Sequence, residues 1–466
     1  MRYVSTRGEA PVLGFDDVLL SGLARDGGLY VPEAWPKVSA ADWRGLAGLP
    51  YAEASLRVLK PFVGDSIGEA DLARILGDSY QDFGHPAVAP LKQVGSGDWL
   101  LELFHGPTLA FKDYALQVVG RLFDYVLAKR RSRVTIVGAT SGDTGTAAIE
   151  ACRDRDAIEI FILHPLGRVS EVQRRQMTTV TSRNVHNIAV EGTFDDCQDL
   201  VKALFNDAAF RDRVNLSAVN SINWARIAAQ IVYYAVAAVA LGAPARPVAF
   251  SVPTGNFGNI FAGYAAARMG LPIEHFVVGS NRNDILFRLL ETGTMKMEAV
   301  TPSLSPSMDI QVSSNFERLL FELSGRNGNA VARMMRRFRK RGDLTLSPPR
   351  HARLRRFFSG ARADDDQTLA MIARHYAATG ELIDPHTAVG LVAAAAQRGD
   401  TAVPMITVAT AHPAKFPDAV QKATGVRPEL PPRLADLMQR PERVAVLAND
   451  ARRLQDFILE HVQVPA

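Results

Sequence analysis

Cysteine is nearly absent: two residues, Cys152 and Cys197, in a chain of 466. That excludes a disulfide framework, and their spacing fits no metal-ligand pattern, so a reducing compartment and no metal are expected. Charge of one sign is also scarce, with a formal net charge of +4. Such a balance demands no nucleic-acid partner, though it suits an anionic substrate. Residues 1–10 hold two arginines and a glutamate and no apolar core segment, unlike a secretory signal. The longest apolar run, Ile231 to Gly242, is too short to span a bilayer and reads as a buried helix entered from Asn223. No Walker loop, no dinucleotide loop and no repeat of fixed period occurs. A cytoplasmic enzyme with a small-molecule substrate and no membrane partner is expected, as a monomer or homodimer.

What is present is ordinary globular composition, 47% hydrophobic and 22% charged. The length implies two or three packed units. Residues 1–92 read as a separate N-terminal unit, with helical periodicity over 40–84. From Tyr114 the pattern is helical to Ala128. Then strands at 134–138, 158–164 and 185–190 alternate with helices at 146–153, 170–176 and 194–205. A second strand–loop–helix lies at 248–268, a further strand at 275–278, an Ala-rich helix at 388–396 and a last core strand at 405–409. Strands alternating with helices at this spacing mean βαβ units and parallel sheets. Between Arg333 and Arg356 fall nine arginines and Lys340, followed by Asp364, Asp365 and Asp366. Few aromatics and trailing acids favour a solvated helical hairpin over a nucleic-acid patch.

Three stretches carry chemistry. The first is Phe104-His105-Gly106-Pro107-Thr108-Leu109-Ala110-Phe111-Lys112-Asp113, a lysine within apolar and small residues. A desolvated lysine amine is a nucleophile suited to a carbonyl or pyridoxal partner. Alternatively, Lys112 snorkels to the surface with Asp113 as its partner. The second is Gly255-Asn256-Phe257-Gly258-Asn259, between a strand and a helix, where a phosphate or a plain turn fits. The third, Thr140-Ser141-Gly142-Asp143-Thr144-Gly145, suits a carboxylate or ordinary capping by Ser141 or Asp143. Both loops lie at C-terminal ends of presumed parallel strands, where open sheets bind ligands. Together a phosphate loop, a carboxylate loop and a buried lysine describe a pyridoxal phosphate enzyme acting on an amino acid.

These motifs, with Tyr3 to Gly8, Gly22 to Pro32, Ser313 to Arg318 and Ala409 to Phe416, resemble threonine synthases of the longer type with an extended N-terminal unit. The resemblance implies an α/β, tryptophan-synthase-β-like (fold type II) architecture, with two α/β domains flanking a cofactor cleft. The boundaries expected are 1–92 for the N-terminal unit and 119–216 for a smaller, mobile domain. The large cofactor domain takes 93–118 and 217–466, with a basic helical insertion near 325–366. Lys112 is implied to bind pyridoxal 5′-phosphate covalently. Gly255, Asn256, Phe257, Gly258 and Asn259 are implied to hold its phosphate, Thr410 its pyridine nitrogen, and Asp143 to approach its 3′-oxygen. Thr140, Ser141, Gly142 and Thr144 are implied for the substrate carboxylate, and Ser314, Asn315 and Arg318 for the substrate phosphate. A helix cap at Ser313 or Ser314 followed by an exposed arginine is the structural alternative for that last group. His105 either contacts substrate or ties backbone groups together, and His412 orients the loop of Thr410.

The implied reaction turns O-phospho-L-homoserine and water into L-threonine and phosphate. Two rivals remain: a phospho-lyase that releases 2-ketobutyrate, and a non-catalytic relative that keeps the fold.

Overall fold

Val248–Pro253 and Ile158–Pro165 are buried along their whole length, as strands covered on both faces must be. Each lies inside its own sheet, and the chain divides into two compact units around them. The computed structural model describes residues 1–217 and 221–462.

The first unit contains Met1–Val18, Gly22–Ala115 and Ser221–Pro428. Its sheet has six strands in the order Phe358–Arg362, Ile273–Ser280, Val248–Pro253, Met405–Ala409, Asp98–Glu102 and Leu91–Gln93. All neighbours run parallel except the last pair. One face carries Phe250 and Phe276, on which Tyr234 of the helix Trp224–Ala240 packs with its ring 4.7 Å from that of Phe250. The other face receives the Ala-rich helix Pro385–Ala396. The helix comes close because Gly390 has no side chain: a Cβ there would stand 2.9 Å from Thr407. Ser251 donates its hydroxyl to the Gly390 carbonyl at 2.7 Å, closing the layer.

Residues 1–92, expected as an N-terminal unit, pack within this compact unit except for 19–21. The strand Tyr3–Ser5 pairs with Tyr30–Pro32, and the rings of Tyr3 and Phe62 lie 6.0 and 5.6 Å from that of Trp224. The basic helical insertion expected near 325–366 also contains a strand, Phe358–Arg362. It is the edge strand of the parallel sheet, and Asp343–Thr345 pairs with Thr294–Lys296 between the helices Gly328–Arg341 and Pro348–Arg355.

Among the described residues, the second unit contains 19–21, 116–217 and 429–462. Its five strands run parallel in the order Ala445–Ala448, Val185–Glu191, Ile158–Pro165, Val134–Ala139 and Leu216–Ser217. The C-terminal segment, expected with the large domain, thus supplies this sheet's edge. The helix Ala451–His461 buries Leu454 and Ile458 against Phe161 and Leu163. Both cysteines are free thiols, and burial pushes Cys152 up to about 12 and Cys197 up to about 11. Among the described residues, no helix is long and apolar enough to cross a membrane.

Candidate active site around Lys112

The strand Asp98–Glu102 leaves the sheet beside Met405–Ala409, with Leu103 N–H donating to the Ala409 carbonyl at 2.9 Å. The next turn is folded by Asp113, which is fully buried. Its carboxylate accepts from Thr108 N–H at 2.8 Å and from the Thr108 hydroxyl at 2.6 Å. Asp113 is therefore a loop brace, which removes the reading of an exposed partner for a snorkelling lysine. Gly106 is required here, because a Cβ would stand 2.5 Å from the Asp113 side chain. Lys415, fully buried, donates to the Thr108 carbonyl at 2.8 Å and fixes the turn from the other side. The helix Lys112–Arg130 starts from this clamp, so Lys112 stands in its first turn, half-buried.

Thr410 follows the strand Met405–Ala409, and its carbonyl accepts from Phe111 N–H at 2.9 Å. Lys112 and Thr410 are thus held by adjoining backbone. His412 N–H donates to Leu109 carbonyl at 3.0 Å, and its Nδ1 accepts from Ala414 N–H at 3.1 Å, so it orients this loop. His105 pairs through Nε2 with the Glu102 carboxylate at 2.8 Å.

The Gly255–Asn259 loop ends the strand Val248–Pro253 and opens the helix Gly258–Met269. Phe257 has φ +62°, a left-handed turn, and its side chain is anchored with ring centroids 5.4 Å from Phe316 and 5.7 Å from Phe358. Asn259 braces the turn: its Oδ1 accepts from the Thr254 hydroxyl at 2.6 Å and from Ile260 N–H at 3.0 Å. Among the described residues, the backbone N–H groups of 255–259 find no acceptor within the protein. A run of unpaired N–H groups at a helix start is an anion site. The floor is tight as well, since a Cβ on Gly255 would stand 3.2 Å from the Met308 Cα. The loop therefore fits the phosphate of pyridoxal phosphate.

In the second unit, Thr140 follows Val134–Ala139 and is buried. Its hydroxyl oxygen accepts from Gly142 N–H at 3.0 Å and from Gly145 N–H at 2.8 Å. Thr140 shapes the loop, leaving Ser141 exposed and Thr144 half-buried. Gly142 has φ +143°, and a Cβ there would stand 2.4 Å from Gln173. Asp143 starts the helix Asp143–Cys152 and accepts from the Gln173 side-chain amide at 2.8 Å.

Residues 87–348 match the family described as pyridoxal-phosphate dependent enzyme. Residues 2–80 match the threonine synthase N terminus and 387–458 the threonine synthase C-terminal family. The chain is 58% identical to a threonine synthase of Pseudomonas aeruginosa, over 99% of this chain and 98% of that one. It superposes on the crystal structure of a PLP-bound threonine synthase from Brucella melitensis with a TM-score of 0.98 and 55% identity, covering 99% of this chain and 100% of that one. The yeast threonine synthase structure gives a TM-score of 0.94 at 38% identity, covering 99% and 98%.

The chain belongs to the threonine synthase family.

It is accordingly a fold type II, pyridoxal-phosphate-dependent enzyme. Within this threonine synthase, one sequence expectation needs correction. Arg318 is fully buried and donates to the carbonyls of Tyr30 at 3.0 Å and Ile222 at 2.5 Å, and to Asn315 Oδ1. It lies 5.9 Å from the Trp224 ring, and burial pulls it down to about 9. Its guanidinium ties the N-terminal strand to the helix Phe316–Leu323. Ser314 and Asn315 support the phosphate loop instead. Ser314 N–H donates to Asn256 Oδ1 at 3.4 Å, and Asn315 N–H donates to Asn256 carbonyl at 3.1 Å. Ser313 is no cap either, since its hydroxyl donates to the Gly255 carbonyl at 2.7 Å.

Ser307, Lys415 and Gln173 were not singled out from sequence. Lys112 Nζ reaches the Ser307 hydroxyl at 3.5 Å. Ser170 followed three residues later by Gln173 reads as a capping pair. The Ser170 hydroxyl does donate to Gln173 Oε1 at 2.9 Å, which turns the amide nitrogen toward Asp143.

Proposed function

We propose that this threonine synthase converts O-phospho-L-homoserine and water into L-threonine and phosphate, with Lys112 as the catalytic base. The observation that carries the reading is the pairing, in one unit, of a clamped lysine with a loop of unpaired backbone N–H groups. Segment 306–310 joins them, touching Lys112 through Ser307 and abutting Gly255 through Met308.

The N–H groups of Gly255, Asn256, Phe257, Gly258 and Asn259 would hold the cofactor phosphate. Thr410 would offer a hydroxyl to the cofactor's pyridine nitrogen, and in the second unit Gln173 holds Asp143 through its side-chain amide. When bound, the cofactor's conjugated ring delocalises the electron pair left on substrate carbon as protons depart. The Lys112 amine takes the proton from the α-carbon and then one from the β-carbon, and it gives protons back to the γ-carbon, once phosphate has left, and to the α-carbon at the end. The second unit's Ser141, Gly142 and Thr144 form a loop suited by itself to a carboxylate. Phosphate leaves with its bridging oxygen from the γ-carbon, and water adds at the β-carbon. The reading takes the protein to be a cytoplasmic monomer or homodimer that binds no nucleic acid, and the small net charge is in keeping with the last.

The test is the reaction in oxygen-18 water. The proposal requires one label in the threonine hydroxyl and none in the released phosphate. Label in phosphate would mean phosphorus–oxygen cleavage, and unlabelled threonine would mean that water is not the nucleophile.

A further inference from the structure

Ser307 occupies the one-turn helix Pro306–Met308, and the protein holds that turn from two sides. On one side, the Asn281 amide donates to the Ser303 hydroxyl at 2.8 Å, the Ser305 hydroxyl at 2.9 Å and the Asp309 carboxylate at 2.8 Å. Asn283 adds a bond to Asp309 at 2.9 Å. On the other side is a buried histidine–carboxylate pair on the helix Pro385–Ala396. Asp384 is fully buried and caps that helix, accepting from His386 N–H at 2.9 Å and Thr387 N–H at 3.1 Å. Its Oδ2 also meets His386 Nδ1 at 2.7 Å. A carboxylate on Nδ1 fixes the ring so that the proton stands on Nδ1 and Nε2 is an acceptor. Nε2 then accepts from the backbone N–H of Ser307 at 3.3 Å. The hydroxyl of the same serine faces Lys112 Nζ at 3.5 Å, a separation that tightens readily on loading of a site.

We propose that Ser307 is a positioning residue for the Lys112 amine, and that the Asp384–His386 pair keeps Ser307 in place. The inference rests on the assignment of Lys112 as the reacting lysine. Its chemistry is simple: an amine that must serve two carbons in turn needs a partner that restrains it without neutralising it, and a hydroxyl does so. The pair acts at one remove, through the serine's backbone, so its imidazole transfers no proton.

Four variants separate this from plain stability. Ser307→Ala deletes the hydroxyl and Ser307→Thr restores one. His386→Asn keeps a donor where Nδ1 stands but removes the Nε2 acceptor, and His386→Gln supplies a polar atom nearer Nε2. The readout is trace acylation of cofactor-free protein with acetic anhydride, followed by peptide mass spectrometry, with Lys37 and Lys422 as internal standards. Loss of the acceptor hydroxyl weakens the hold on the charged amine, so Lys112 in Ser307→Ala acylates about threefold faster than in wild type. His386→Asn gives the same change, while Ser307→Thr and His386→Gln return toward wild type. In the loaded enzyme, kcat of Ser307→Ala falls about tenfold with KM within about twofold. Unchanged Lys112 acylation in Ser307→Ala, which removes only a half-buried hydroxyl, overturns the proposal, whatever His386→Asn does. Threonine formation by Lys112→Ala would instead overturn the assignment of the lysine, so the two failures are distinguishable.

Discussion

The side-chain amide of Gln173 donates to Oδ1 of Asp143 at 2.8 Å, and both side chains are buried. Hydrogen bonds to a carboxylate contribute about 1.5–3 kcal/mol. Gln173→Leu keeps the volume and removes the donor. Steady-state kinetics should show kcat/KM lowered by about tenfold or more, since Asp143 loses the donor that orients it.

Lys112→Ala should abolish turnover and the absorbance band of covalently bound pyridoxal phosphate. The fold should persist, because the turn before the lysine is held by Asp113 and Lys415 rather than by Lys112 itself. Absorbance spectra and thermal melts of the purified variant check both halves.

Arg7 and Glu317 form a buried bidentate pair, with bonds of 3.0 and 2.9 Å, and Thr6 adds a third at 2.7 Å. Glu317→Leu leaves the Arg7 charge uncompensated, which costs about 3–5 kcal/mol. Replacing both members with apolar residues, as Arg7→Met with Glu317→Leu, should recover much of that loss. Denaturant melts of the single and double variants measure the difference.

His164 is buried near the C-terminal end of Ile158–Pro165. Desolvation holds its pKa below the ordinary 6.5. Above 6.5 the ring is neutral in folded and unfolded chains alike. As pH falls below 6.5, the unfolded chain takes up a proton that the folded chain resists, so stability is lost. Between about pH 7.5 and about pH 5.5, the melting temperature of wild type should therefore fall further than that of His164→Leu.

The elements that sequence makes legible are those whose identity is local. Val248–Pro253 and Ile158–Pro165 are runs of buried strand residues, and the loops that follow parallel strands point to ligands before any contact is known. Phe358–Arg362 is different. It reads Phe-Ser-Gly-Ala-Arg inside an arginine-rich stretch, and only its ladder with residues 276–280 makes it a strand. Arg318 shows the same limit in the site. A charged residue beside a polar motif suggests a ligand, but its partners Tyr30 and Ile222 lie 288 and 96 residues away in sequence. Ser307 and His386 are likewise brought together across 79 residues, which spacing along the chain does not reveal.

The central claim is that this site makes threonine at the expense of the substrate's phosphate ester. The most direct measurement incubates the purified, pyridoxal-phosphate-loaded enzyme with O-phospho-L-homoserine and follows threonine, phosphate and 2-ketobutyrate together. Threonine and phosphate should appear in equal amounts, with 2-ketobutyrate at background. Phosphate matched by 2-ketobutyrate, or no phosphate from cofactor-loaded protein, would contradict the account.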